Sequence, residues 1–131
     1  MRITHDDPAT VPAPPGAYTH AIHVTSGPML YVSGQIALGE DGEVVAPGDM
    51  TRQSEVVLSL LERILDAHGA GFEDVVNIRT FMTDLGRLAE YAAVRRRYIT
   101  GRPPTSTTVE VPRLFRPGAL LEVEAVAALP A

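Results

Sequence analysis

The strongest constraint on the fold lies near the C-terminus, where Leu121-Glu122-Val123-Glu124-Ala125-Val126-Ala127 alternates apolar with acidic side chains. Successive side chains of a strand point to opposite faces of its sheet. Leu121, Val123, Ala125 and Ala127 therefore share one face, and Glu122 and Glu124 share the other. A sheet containing such a strand has one dry face, and something must cover it.

The chain offers two helices for that role. Val56, Val57, Leu60, Leu61, Ile64 and Leu65 recur with helical spacing and form one apolar stripe. Asp49 or Thr51 is placed to cap this helix, and His68-Gly69 stops it. Glu55 lies four residues after Thr51, so the pattern is not a strict capping box. A second helix is predicted from about Gly86 to Thr100, with Leu88, Tyr91, Val94 and Tyr98 on its apolar side. Gly101-Arg102-Pro103-Pro104 ends it. The β-branched run from Val75 to Met82 reads as a strand between the helices. Ser106 to Val111 reads as another, followed by a turn at Arg116-Pro117-Gly118.

The first third is more broken. Pro8 to Ala17 is rich in proline and excludes helix, so residues 1–14 read as a proline-rich lead-in. Tyr18 to Val24 and Met29 to Ser33 read as a β-hairpin around Ser26-Gly27-Pro28. Gly39 to Gly42 is a turn, and Glu43 to Val45 a third short strand closed by Pro47-Gly48. The predicted order is βββαβαββ: an α+β fold with two helices packed on one face of a mixed sheet, in one domain spanning 1–131. The second sheet face also needs cover. In a chain this short, another subunit is the economical source.

Composition narrows the function classes. A domain of this length can bury an aliphatic core without a disulfide or metal. There is no cysteine, which excludes thiolate chemistry and is compatible with a reducing compartment. The formal charge is −5, and Arg95-Arg96-Arg97 is the one basic run, so the chain is not expected to grip nucleic acid. No segment has the length of a membrane span, and the N-terminus lacks an apolar core of signal-peptide length. The expected setting is cytoplasmic, with no membrane partner.

Four histidines are present, at 5, 20, 23 and 68. His20 and His23 are three apart and would point to opposite sides of a strand, so no metal site is predicted. In Val32-Ser33-Gly34-Gln35-Ile36, the glycine either lets backbone N–H groups face an anionic ligand or marks a bulge. Glu122 and Glu124 either both face solvent, or one is enclosed and acts as a general base or water-positioning group. No Ser-His-Asp arrangement can be placed, and no phosphate loop is present.

Several patterns occur together in one order. They are Pro15-Gly16-Ala17-Tyr18, Tyr31-Val32-Ser33-Gly34-Gln35-Ile36, and Gln53 opening a long helix that ends at Ala67-His68-Gly69-Ala70. Next come Asp74 through Met82, Asp84-Leu85, Val109-Glu110-Val111 and Glu122 through Ala127. This ordered set, running from about Pro15 to Ala127, resembles the reactive intermediate deaminase family, RidA/YjgF, also called L-PSP endoribonuclease. The resemblance implies a fold similar to the trimeric bacterial chorismate mutase, and a homotrimer with three small-molecule pockets at subunit interfaces. It implies hydrolysis of 2-imino acids, or their enamine tautomers, to 2-keto acids and ammonia, without cofactor or metal.

By the same resemblance, Tyr18 matches the pocket tyrosine, Ser33 and Gly34 the lining loop, and Glu122 the glutamate that positions water. Ser106 and Thr107 fall in the substrate-binding segment. There the family's deaminases carry an arginine in a Pro-Ala-Arg-Ser run before the Val-x-Val strand. This chain reads Pro104-Thr105-Ser106-Thr107, so Ser106 stands at the arginine position, as in arginine-lacking subgroups. A helix asparagine near the pocket is replaced by Ala92. Serine has one hydroxyl, no charge and a short reach. Arg95 and Arg96 lie three and four residues after Ala92, on its helix face. Either of them, or Arg102, is a possible compensating cation; a solvated helix face is the alternative. Three functions follow: a RidA-like hydrolase with an altered substrate, a non-catalytic small-ligand-binding or regulatory trimer, and a ribonuclease. The acidic balance counts against the third.

Overall fold

The computed structural model describes residues 2–130. The strands are β1 (Ile3–Asp6), β2 (Ala21–Val24), β3 (Met29–Gln35), β4 (Val75–Met82), β5 (Thr105–Glu110) and β6 (Leu121–Ala128). The helices are α1 (Met50–Ala67) and α2 (Leu88–Tyr98). The order of element types is the predicted βββαβαββ, but the first strand is Ile3–Asp6, which the sequence reading did not assign, and the predicted strand at Glu43–Val45 is absent.

Four strands form the main sheet in the order β3-β6-β4-β5. β6 is antiparallel to both of its neighbours, whereas β4 and β5 are parallel. A parallel pair needs a crossover, and α2 supplies it. The alternation in β6 is realised: Leu121 and Val123 are fully buried, while Glu122 and Glu124 are half-buried on the opposite face. α1 packs across β6 and β3, and α2 packs beside α1.

The core joins Val57, Leu58, Leu61 and Leu65 of α1 to Ile78 and Met82 of β4 and to Tyr91 and Val94 of α2. Each such side chain contributes about 1.5–3 kcal/mol through burial. The α1 stripe is centred slightly off the predicted one, for Leu58 is fully buried and Leu60 and Ile64 only half-buried. Asp49, not Thr51, caps α1; its carboxylate accepts from the Arg52 N–H at 2.9 Å. Buried Gln53 ties the helix start to the segment entering β6. Its Nε2 donates to the carbonyls of Ala46 (3.3 Å) and Gly118 (2.9 Å), and its Oε1 accepts from Leu120 N–H at 2.8 Å. That clamp sets where β6, and with it Glu122, begins.

Two expectations for the first third are corrected, and one strand there was not anticipated. The hairpin between the second and third strands does not form: β2 pairs with β1, and β3 pairs with β6. Long β6 offers β3 a partner with a continuous buried face, which short β2 lacks. Within the predicted lead-in, residues 3–6 form β1, a strand that the sequence reading did not assign. Arg2 holds β1 in place, donating at 2.6 Å both to the Ala128 carbonyl and to Asp74 Oδ1. Met1 of the predicted lead-in lies outside the described residues. Finally, Glu43 to Val45 forms no strand but a single bridge between Val44 and Leu38. Ala46, at φ 47°, turns the backbone out of the extended region directly afterwards.

At the other end, α2 is preceded by a short 3-10 turn at Leu85–Arg87, with Asp84 Oδ1 accepting from Gly86 N–H at 2.8 Å. Among the described residues, no helix is long and apolar enough to cross a membrane.

Candidate functional site

A groove of about 410 Å³ opens between α2, the start of β5 and the segment ending at Tyr18. Backbone pairing explains which residues reach it. Ser106 is in register with buried Ile78 and so faces the helices; Thr107 is in register with Arg79 and faces away, exposed. The Tyr18 segment is pinned across this opening by Thr19. Its N–H donates to the Pro104 carbonyl at 3.1 Å, and its hydroxyl donates to the Pro103 carbonyl at 2.6 Å. Half-buried Tyr18 thus stands beside the strand that carries Ser106, its ring edge-on to His20 at 5.7 Å.

α2 forms the remaining wall. Tyr91 is buried, and its hydroxyl shares a 3.0 Å hydrogen bond with Thr80 of β4. One turn later the Arg95 guanidinium carbon lies 6.0 Å from the Tyr91 ring centroid. Arg95 Nη1 donates to Ser106 Oγ at 3.2 Å, while its Nη2 is buried without a hydrogen-bond partner. Ala92 and Arg96 also line the groove, Arg96 from an exposed position. Arg102 does not line it; its guanidinium lies 3.7 Å from Asp7 Oδ2.

Glu122, Ser33, Gly34 and Thr107 are not among the groove's walls. Glu122 is in register with Phe81 on the sheet face away from the helices. The register of β3 against β6 shifts between Val32 and Gln35, and this irregularity lays Gly34 against the Glu122 carboxylate. A Cβ at Gly34 would collide with Glu122 Oε2 and lie 2.7 Å from its Cδ, so glycine is what allows the close approach. Of the two readings of the Ser33-Gly34 loop, the structure bears out the bulge: the strand register is irregular there, and the irregularity borders the Glu122 carboxylate.

Exposed Ser33 lines a shallow depression on this open face with Tyr31, Asn77, Arg79 and Glu124. The two acids of β6 differ in company. Glu124 is paired with Arg79 Nε at 2.8 Å, whereas Glu122 has no hydrogen bond or ion pair among the described residues. A carboxylate with both oxygens unengaged can take a proton from water.

The predicted residues thus divide into two sets. Tyr18, Ser106, Arg95 and Arg96 meet at the groove; Glu122 and Gly34 meet across the sheet, with Ser33 on the same face. The sequence reading took Tyr91 only as a core residue. Its position four residues before Arg95 was the available signal that it would underlie that guanidinium.

Comparison with known proteins agrees with this architecture. The family model described as Endoribonuclease L-PSP matches residues 9–129. Protein DfrA of Myxococcus xanthus is 40% identical over 126 residues, covering 96% of this chain and 94% of its own length. A RutC family protein of Pyrococcus abyssi is 37% identical over 117 residues, covering 88% and 89%. Among solved structures, YyfB of Yersinia pestis, a protein of the conserved Rid family, superposes with a TM-score of 0.89 at 32% identity, over 98% of this chain and 100% of that one. RidA from an Antarctic Psychrobacter gives a TM-score of 0.72 at 27% identity, covering 96% and 99%. With nearly its whole length matched in sequence and in fold, the chain belongs to the RidA/YjgF family, the family of the Endoribonuclease L-PSP model.

Proposed function

We propose that the protein is a homotrimeric hydrolase of small imines or enamines, with its pocket completed between subunits. One observation carries this reading. The two sets of site residues lie on opposite faces of the same sheet, so a single chain cannot bring Tyr18 and Glu122 together, whereas two copies can. The open face carrying Glu122 also presents Tyr31, 76% exposed, and Val109, 39% exposed, to whatever covers it.

In this reading, water held by Glu122 attacks the carbon of the C=N bond. The carboxylate takes one proton from that water as the C–O bond forms. Glu122 passes that proton to the imine nitrogen, giving the amino alcohol, while the Tyr18 hydroxyl donates a hydrogen bond to the substrate. In the collapse of the tetrahedral intermediate the C–N bond breaks as Glu122 carries the intermediate's hydroxyl proton to the leaving amine. The sum is imine plus water giving carbonyl compound plus ammonia, with no redox change.

Ser106, in place of a strand arginine, favours a second reading: a ligand-binding trimer without catalysis. The ribonuclease activity in the family model's name fits less well, because the chain carries a net charge of −5 and its Arg95-Arg96-Arg97 run is its one basic cluster. An assay with freshly generated 2-iminopropanoate separates these readings. Hydrolysis above the buffer rate is expected, falling about 10²- to 10⁴-fold in Glu122→Gln. No acceleration by the wild-type protein would favour the non-catalytic trimer.

A further inference from the structure

We propose that the outer face of the two helices carries a separate small-molecule site, built on Arg52, Arg63 and Arg97, that takes a soluble phosphate monoester. This site lies apart from the groove beside Ser106 and does not depend on the hydrolase reading.

The argument begins with the spacing along α1. Its core side chains point to the sheet, and Arg52, Glu55, Ser59 and Arg63 recur at helical spacing on the other side, half-buried or exposed. They meet Arg97 and Tyr98, from the last turn of α2, around a hollow of about 330 Å³. Small-molecule pockets start at about 300 Å³, so the hollow suits a phosphate with a short carbon body.

The charges in the hollow are unbalanced. Glu55 Oε1 accepts from Arg52 Nη1 at 3.4 Å, and its Oε2 accepts from Arg97 Nη2 at 2.9 Å. The Arg97 hydrogen bond is the main cause holding the Glu55 carboxyl below its ordinary value, so it stays ionised. With one oxygen given to each guanidinium, Glu55 spans the two helices and aims both cations. Arg63 donates from Nε to the Ser59 carbonyl at 3.4 Å and has no carboxylate partner among the described residues. Three guanidiniums against one carboxylate leave an excess of two positive charges, in a chain of net charge −5. Helix stability does not account for this. Arg52 stands in the first turn of α1, where the helix dipole disfavours a cation, and that turn has no acidic residue.

A phosphate monoester matches what is left over. It carries about −1.5 to −2 charges near neutral pH and three acceptor oxygens. Facing it are the amino groups of Arg63 and the remaining N–H groups of Arg52 and Arg97. The Ser59 and Tyr98 hydroxyls make no hydrogen bond among the described residues and add two further donors. A carboxylate brings one charge and two oxygens and would leave more of these donors unmatched. Val56 and the Tyr98 ring, held edge-on to Phe72 at 5.9 Å, offer an apolar edge to the carbon body.

Calorimetric titration at low ionic strength with phenyl phosphate and with benzoate tests this. Phenyl phosphate should bind one per chain and at least about tenfold more tightly than benzoate, as the extra charge-assisted contacts require. Its affinity should fall several-fold from about pH 7.5 to about pH 5, as the phosphate takes up its second proton near pH 6. Arg63→Gln and Arg97→Gln should each weaken binding about three- to tenfold with native circular dichroism, and Arg52→Gln/Arg63→Gln should abolish it. Arg63→Lys should keep most of the affinity, and Arg95→Gln, in the other groove, all of it. Equal binding of phenyl phosphate and benzoate, undiminished binding by Arg52→Gln/Arg63→Gln, or loss of binding in Arg95→Gln alone would overturn the proposal.

Discussion

Gly34 and Gln53 show how single residues determine the site. Gly34 has no side chain because Glu122 occupies the space one would fill. Gly34→Ala should displace the carboxylate more than it harms the fold, since the colliding atoms end a flexible side chain. The expected outcome is a drop in turnover on 2-iminopropanoate with a stability loss of at most about 1–3 kcal/mol by urea denaturation. An unchanged turnover number would show that Glu122's placement against β3 is irrelevant to the chemistry. Gln53 has the opposite profile. It touches no part of the groove, yet its truncation leaves Leu120 N–H and the Gly118 carbonyl without their partner, while the Ala46 carbonyl keeps the Asp49 N–H. Gln53→Ala should cost about 2–4 kcal/mol, the range for buried polar groups left unsatisfied, and lower the thermal midpoint. The sequence marks Gln53 by its place at the helix start but gives no sign of what it clamps, because Gly118 and Leu120 are distant in the chain.

The elements differ in how far the sequence exposes them. β4 and β6 are read nearly to the residue, since β-branched runs and strict alternation leave one solution. β1 is missed because four residues have too little pattern, and its place depends on Arg2 reaching Asp74 and Ala128. The same limit applies to the arginines. Periodicity puts Arg95 and Arg96 on one side of α2 and cannot choose between them or Arg102. In the structure Arg95 is the one that bonds to Ser106, which the parallel register of β5 against β4 faces toward α2.

The β1–β2 pair also carries a pH dependence. His5 is held below the ordinary histidine value first by desolvation and then by the Arg102 cation, with Asp7 partly opposing. Its neutral form is therefore favoured in the folded state. The stability this contributes is complete above the unfolded value of about 6.5 and declines as pH falls below it. Hydrogen exchange of the β1 and β2 amides should accelerate from about pH 7 to pH 5.5 beyond the intrinsic rate change, and His5→Gln should flatten that response. An identical profile in both proteins would remove His5 as the cause.

At the scale of the whole molecule, Tyr18 and Glu122 belong to opposite faces of one sheet. The alternation in β6 made that division visible in the sequence: the face with Leu121 and Val123 meets the helices, and the face with Glu122 is turned away from them. What the sequence could not show is that Ser106 and Thr107, adjacent in the chain, belong to different faces, because that depends on the pairing of β5 with β4.

Subunit mixing tests the shared pocket most directly. Tyr18→Phe and Glu122→Gln are each expected to form inactive or nearly inactive trimers. Unfolding and refolding them together at equal amounts should recover about a quarter of wild-type activity, because random assembly pairs an intact Tyr18 with a neighbour's intact Glu122 at that frequency. Activity no higher than the average of the two separate variants would contradict the account, for it would mean that each subunit houses its site alone.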